Sequence, residues 1–301
     1  MTAMTALPPS AKLGLGAAQF GLDYGVTTPR GRPPEVEAVD ILQLAARARI
    51  PLLDAAVGFG HAEGVLGDAL PRPNPFRMVL RTARCDRGPD FVEDHLRRSL
   101  ARLRIDRAYA VLVQSATDLF GPHGMALWDR LKALRDDGLV EKIGVSAYAS
   151  DDPRGLARRF KPDIVQAPAS LLDQRLITDG ALAEIAGLGV EVHLRSIFLQ
   201  GILFMPPHQM PAHLQASSRS LSKVRRMIAE GRSDPLQAAL GWALSRPEAS
   251  SVIVGVTTAA ELQAIIAAAA SPPPDLDWDE MAIDDPATLD AERWVAPNAA
   301  A

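Results

Sequence analysis

A chain of 301 residues, 48% hydrophobic and 23% charged, has the composition of a globular enzyme, and barrels of this length form as one domain. A net charge of −4 gives no electrostatic case for nucleic acid or an anionic membrane, and no run approaches the ~18 apolar residues of a membrane span. One cysteine, Cys85, excludes an internal disulfide framework and a Cys-based zinc site.

MTAMTALPPSAK lacks a basic start followed by an apolar run, so no signal peptide is expected and a cytoplasmic location is. KLGLGAAQFG (12–21) reads as a glycine-punctuated strand. Gly14 and Gly16 lack the third glycine and the following helix of a dinucleotide loop, so a close-approach barrel strand fits better. A loop is expected over 23–34. Val39, Ile41, Leu42, Leu44 and Ala45 then have the spacing of an amphipathic helix over 35–47. In LLDAAVGFGHAE (52–63), Leu52 and Leu53 form a buried strand that ends in Asp54. A turn, Gly58-Phe59-Gly60, leads to a helix opened by His61, Ala62 and Glu63.

The rhythm repeats. Strands are expected at 76–82, 108–114, 140–148, 163–169, 190–198 and 251–256, with helices at 90–102, 125–135, 153–160, 180–188 and 259–270. An insertion before the last strand carries a basic helix at 221–231 and another helix at 235–244. Thr258 and Glu261 make a capping box for the last helix. Eight strands alternate with helices, and most are short apolar runs covered on both faces. They suit a closed (β/α)8 barrel of the TIM type, a single domain over 1–301. A doubly wound sheet would need a phosphate-binding glycine fingerprint after the first strand, and none is present. The tail over 272–301, with Trp278, Met281 and Trp294, is expected to wrap the barrel, with 297–301 frayed.

An acid at the end of a core strand, followed by a glycine turn, is where such barrels put their chemistry. The 52–63 stretch resembles the aldo-keto reductase signature of Asp-Thr-Ala, Tyr-Gly and Ser-Glu. Asp54 and Glu63 match it, Phe59 stands at the tyrosine, and Ala62 replaces the serine. Gln19 to Gly25 and SVIVGVTTAAEL resemble a bacterial branch of the same family. The resemblance implies a tetrad of aspartate, tyrosine, lysine and histidine; carried over residue by residue it reads Asp54, Phe59, Arg81 and Gln114. Phenylalanine has no proton to give, arginine is essentially never deprotonated, and glutamine is no general acid. Substitute acids are His61 beside Phe59, Tyr24, Tyr148 and His193. His61 also reads as a solvent-facing helix residue, His193 as a core histidine, and Tyr109 as packing.

The cofactor implied by the resemblance is NADP or NAD. Its carboxamide would meet Ser146 and Gln166, with Ala147 in place of the family's asparagine. Arg195 would cover the ring, since a planar guanidinium stacks as an aromatic does. Ser196, Phe198, Leu199 and Gly201 would follow the pyrophosphate. Gly255, Thr257 and Thr258 precede a helix N-terminus, a ready anion site. No lysine or arginine lies in GVTTAAELQAI to meet a 2′-phosphate, and Ala264-Ile265 replaces the family's Glu-Asn pair. Lys223, Arg225 and Arg226 read as a phosphate contact or a solvated helix face. Two functions stay open. One is an oxidoreductase on a small carbonyl or alcohol; the other is a barrel that keeps the fold as a binding protein or for non-redox chemistry.

Overall fold

Eight apolar runs become eight parallel strands, paired in chain order and closed into a barrel by the pairing of the last with the first. They are β1 Leu13–Gly16, β2 Leu52–Ala56, β3 Arg77–Arg81, β4 Ala108–Val113, β5 Val140–Ser146, β6 Ile164–Pro168, β7 Glu191–Arg195 and β8 Ala249–Val254. The computed structural model describes residues 9–25, 31–290 and 294. The helices are α1 Ala18–Gly21, α2 Glu35–Arg47, α3 Ala62–Ala69, α4 Pro89–Leu103, α5 Ala116–Phe120, α6 Gly124–Asp136, α7 Pro153–Phe160, α8 Arg175–Thr178, α9 Ala181–Gly187, α10 Ser218–Glu230, α11 Pro235–Leu244, α12 Ala259–Ala270 and α13 Pro286–Leu289. This is a (β/α)8 TIM barrel. Among the described residues, no helix is long and apolar enough to cross a membrane.

Strand alternation sorts the side chains into two cores. Leu53 and Ala55 of β2 join the large core between barrel and helices, where α2 adds Ala38, Ile41, Leu42 and Ala45 at helical spacing. Leu52, Val79, Ala110, Leu112, Ile164 and Ile253 fill the barrel interior. β1 gives glycines there. A Cβ on Gly14 would lie 2.5 Å from Ile253 Cδ1, so the missing side chain lets the barrel fill from the other strands.

The strand expected over 12–21 is shorter than read. It stops at Gly16, after which the Ala17 N–H donates to Asp54 O (2.8 Å) and α1 begins. Gly21 is then pressed against the turn after β2, where a Cβ would stand 1.8 Å from Phe59 O. The strand expected over 190–198 ends at Arg195 because Ser196 takes a left-handed φ of 60°. α5 and α8 have too few residues for periodicity to reveal.

The C-terminal segment lies against the loop after β6. Gln174 Nε2 donates to Trp278 O (2.6 Å), the Ile283 N–H to Leu172 O (2.9 Å), and Arg175 pairs with Asp290 (2.8 Å). Met281 is fully buried. The reading of 297–301, part of the 23–34 loop and the N-terminal eight residues lie outside the described residues.

Candidate active site

The strands' C-terminal ends gather the residues singled out from sequence. Asp54, on β2, is fully buried and takes two bonds from Arg81, the last residue of β3: Nε to Oδ1 at 3.1 Å and Nη2 to Oδ2 at 3.0 Å. Gln166 of β6 donates its amide to the same carboxylate at 2.5 Å, which leaves Gln166 Oε1 buried without a partner. Ser146 is paired in register with Gln166. Phe59 follows β2, and its ring lies 5.2 Å from the Arg81 guanidinium. Gln114 follows β4, fixed through its backbone N–H to Thr82 Oγ1 (3.1 Å). The Asp54–Arg81 fork is two-pronged and charge-assisted.

Above this floor opens a cleft of about 790 Å3. Tyr24, Phe59, Arg81, Gln114, Tyr148 and Arg195 line its inner part. Arg195, the last residue of β7, lies over the Tyr148 ring at 4.2 Å. Its Nη2 reaches Ala147 O at 3.3 Å and its Nη1 reaches Ser196 Oγ at 3.4 Å, while Nε is buried without a partner. Burial pushes Arg195 below the ordinary arginine range. Tyr24 is 38% exposed, yet burial of its phenol raises the pKa further than the nearby Arg195 and Arg81 lower it. Tyr24 and Tyr148 bring two hydroxyls to the cleft.

The outer part of the cleft runs along the loop after β7 and the start of α12. The loop carries left-handed φ values at Ser196 (60°), Leu199 (45°), Gln200 (53°) and Gly201 (88°). Such strain in non-glycine residues gathers at ligand sites. Arg225 clips this loop through the carbonyls of Ile202 (2.9 Å) and Leu203 (3.0 Å), so it is a structural tie and no phosphate contact. Lys223 pairs with Glu280 at 2.9 Å. Phe198 packs on Phe204 and lines the cleft, whereas Leu199 is buried beneath. Gly255 holds the Gln19 side chain, where a Cβ would stand 2.3 Å from Nε2.

The helix N-terminus expected to be a ready anion site is already filled. Glu261 accepts from the N–H of Thr257 (2.6 Å) and of Thr258 (3.3 Å), and Glu37 of α2 accepts from that of Ala259 (2.5 Å). Thr258 caps the Glu261 N–H at 3.1 Å, completing the capping box. Two carboxylates thus satisfy the donors an incoming anion would need.

Some readings fall elsewhere. His61 sits exposed at the N-cap of α3 and does not line the cleft. His193 is buried, with Nε2 3.4 Å from Glu191 and Nδ1 unpartnered. Tyr109 does more than pack: near the opposite end of the strands its hydroxyl donates to Glu191 (3.0 Å) and accepts from Lys142 (2.9 Å). Gln200, Phe204 and Leu236 also line the cleft, with no local sequence signal that places them there. The sequence reading gave Glu261 a capping role alone. The acid three residues past Thr258 was the signal, but nothing local shows which way its carboxylate turns.

The model of the Aldo/keto reductase family matches residues 12–283. The chain is 25% identical over 299 residues to the NADH-specific methylglyoxal reductase of Escherichia coli, covering 86% of this chain and 89% of that protein. It is 26% identical over 284 residues to the L-galactose dehydrogenase of Arabidopsis thaliana, covering 88% and 85%. An aldo-keto reductase of Bacillus halodurans in its holo form superposes with a TM-score of 0.72 at 20% identity, covering 90% and 89% of the two chains.

Proposed function

Because the chain belongs to the aldo/keto reductase family, we propose that it is an oxidoreductase acting on a carbonyl or alcohol substrate with NAD(H). The observation that carries this reading is the floor of the cleft. A buried Asp54, forked by Arg81 and amide-bonded by Gln166, lies under Gln114, Tyr24 and Tyr148 at the mouth where barrels of this kind work.

The residues present fit a nicotinamide dinucleotide at one end. Gln166 Oε1, buried and unpartnered, is an acceptor for a carboxamide N–H, and Ser146 is its neighbour in register. Arg195 would border the ring, and Ser196, Phe198 and Gly201 would lie along the phosphates; Leu199, expected there too, is buried beneath the cleft with its N–H bonded to Ser196 O. At the other end the fit discriminates. A 2′-phosphate meets Glu261 and Glu37 on N–H groups they already occupy, whereas a ribose hydroxyl can donate to Glu261. The Escherichia coli relative is named as NADH-specific, which agrees.

When bound, the cofactor supplies hydride chemistry; the rest falls to the chain. Phe59, Arg81 and Gln114 stand where the family has tyrosine, lysine and histidine. Arg81 keeps Asp54 in place, and Gln114 can donate a hydrogen bond to a carbonyl oxygen. The proton comes from a phenol of the cleft, Tyr24 or Tyr148, because no other side chain of suitable acidity lines its inner part among the described residues. One observation favours a second reading. The Phe59 ring against Arg81 leaves no proton at the family's donor position, as expected for a protein that binds the cofactor without reducing carbonyls.

The test is fluorescence titration with NADH and NADPH, then NADH oxidation with a panel of aldehydes and aldoses. NADH binding, with NADPH weaker by roughly tenfold or more (about 1.4 kcal/mol per decade), and slow turnover are expected. Absence of binding by either dinucleotide sinks the cofactor reading. Tight NADH binding without turnover in either direction selects the second one.

A further inference from the structure

Arg81 and Arg195 share the inner cleft but differ in charge balance. Arg81 is neutralised by Asp54. Arg195 has no carboxylate within ion-pair distance among the described residues; its neighbours are the Ala147 carbonyl, the Ser196 hydroxyl, and the ring and hydroxyl of Tyr148. Among the described residues the one carboxylate that lines the cleft is Glu261, which accepts from Thr257 and Thr258 at the start of α12. No carboxylate of the described chain balances the charge of this half-buried guanidinium, and its Nε is buried without a partner. The guanidinium lies over the Tyr148 ring, and Nη1 and Nη2 each keep a second N–H beyond their bonds to Ser196 and Ala147.

We infer that Arg195 is the receptor for an acid group on the substrate, so that the cleft takes a short carbonyl compound with an adjoining carboxylate, a 2-oxo acid or the matching 2-hydroxy acid. The planar fork suits a carboxylate in two-point contact. Adjacency follows from the crowding of the floor. Arg195, Tyr24, Arg81 and Gln114 line the same inner cleft, and Arg195 lies 4.2 Å over the Tyr148 ring. One small molecule therefore places its acid group on Arg195 and its carbonyl over Gln114 and the phenols. The acid group is a handle, and no bond to it changes. The inference rests on the oxidoreductase reading only for the carbonyl; the anion site stands on Arg195 alone.

Oxamate, an unreducible 2-oxo acid analogue, and oxamide, its uncharged counterpart, test it by calorimetric titration and thermal shift on the full chain. Oxamate is expected to bind and raise the melting temperature, with oxamide without effect. Arg195→Gln should weaken oxamate by roughly tenfold or more, the scale of a charge-assisted bidentate contact. Arg195→Lys, which keeps the charge and loses the fork, should fall between. Binding should persist in saturating NADH. The inference is overturned if oxamide binds as well as oxamate, or if Arg195→Gln leaves affinity unchanged. Displacement of oxamate by NADH also overturns it, because Arg195 then serves the cofactor's phosphates. Should Arg195→Gln fail to fold, Arg195→Lys decides, and unchanged oxamate affinity there rejects the fork. A protein that binds oxamate through Arg195 and no dinucleotide would sink the proposed function while leaving this site in place.

Discussion

Asp54 shows how one side chain ties stability to chemistry. It is fully buried, and its charge is tolerable only because Arg81 forks it and Gln166 adds a third bond. Arg81→Ala leaves a buried carboxylate with one amide, and should cost about 3–5 kcal/mol in urea unfolding. Arg81→Lys keeps the charge and should cost less. The same residues set the expectation for activity. General acid catalysis contributes roughly 10²–10⁴-fold, and Phe59 has no proton to give. Phe59→Tyr alone should add little to NADH oxidation with simple aldehydes, because the new phenol faces Arg81 and lacks a histidine. Phe59→Tyr with Arg81→Lys and Gln114→His should gain measurably more, as groups acting as a unit do. Brisk turnover by the unaltered chain would refute this and make Tyr24→Phe and Tyr148→Phe the next variants to assay. Asp54 was legible in the sequence because a carboxylate in an apolar strand is costly to bury without a partner and a task, though β2 runs two residues past it, to Ala56. The turn of Gln166 toward it was not, since 112 residues separate them.

Among the elements, β4, β5 and β7 carry a second polar cluster near their other ends, where Tyr109, Lys142 and Glu191 meet beside His193. Burial alone would raise the Glu191 pKa. Hydrogen bonds from His193, Lys142 and Tyr109, with the Lys142 charge, outweigh it and hold the carboxyl at about 2. A depressed carboxylate stabilises the fold above its unfolded pKa, and that contribution fades as pH falls toward the folded value. The gap in urea midpoint between the parent and Glu191→Gln should be full above about pH 5 and shrink steadily toward pH 2. A gap independent of pH would show that the charge is not what matters. Strands and long helices were legible here, because apolar runs and helical spacing report burial directly. The ends were not. β7 stops at a left-handed Ser196, and nothing in an apolar IF pair signals that turn.

At the scale of the molecule each end of the barrel has its own charge cluster, Tyr109, Lys142 and Glu191 at one rim and Asp54 with Arg81 beneath the cleft at the other. The alternation of eight apolar runs with helices was enough to read the closed barrel. The cleft was read only in part, because its walls come from distant segments. Glu37 of α2 reaches the start of α12 across 222 residues, and Arg195 finds Tyr148 from a strand two places away. Closure has a further consequence, in time. β1 leaves the ribosome first, and one of its edges is completed only when Leu13 meets Val252 of β8. Until then a growing chain carries open strand edges, which are templates for the wrong partner. A chain released after α11, at residue 244, should therefore collect in aggregates instead of folding as a seven-stranded intermediate, as pelleting after cell-free synthesis would report. Closure of the barrel must wait until β8 has been made, so the last strand sets the clock for the first.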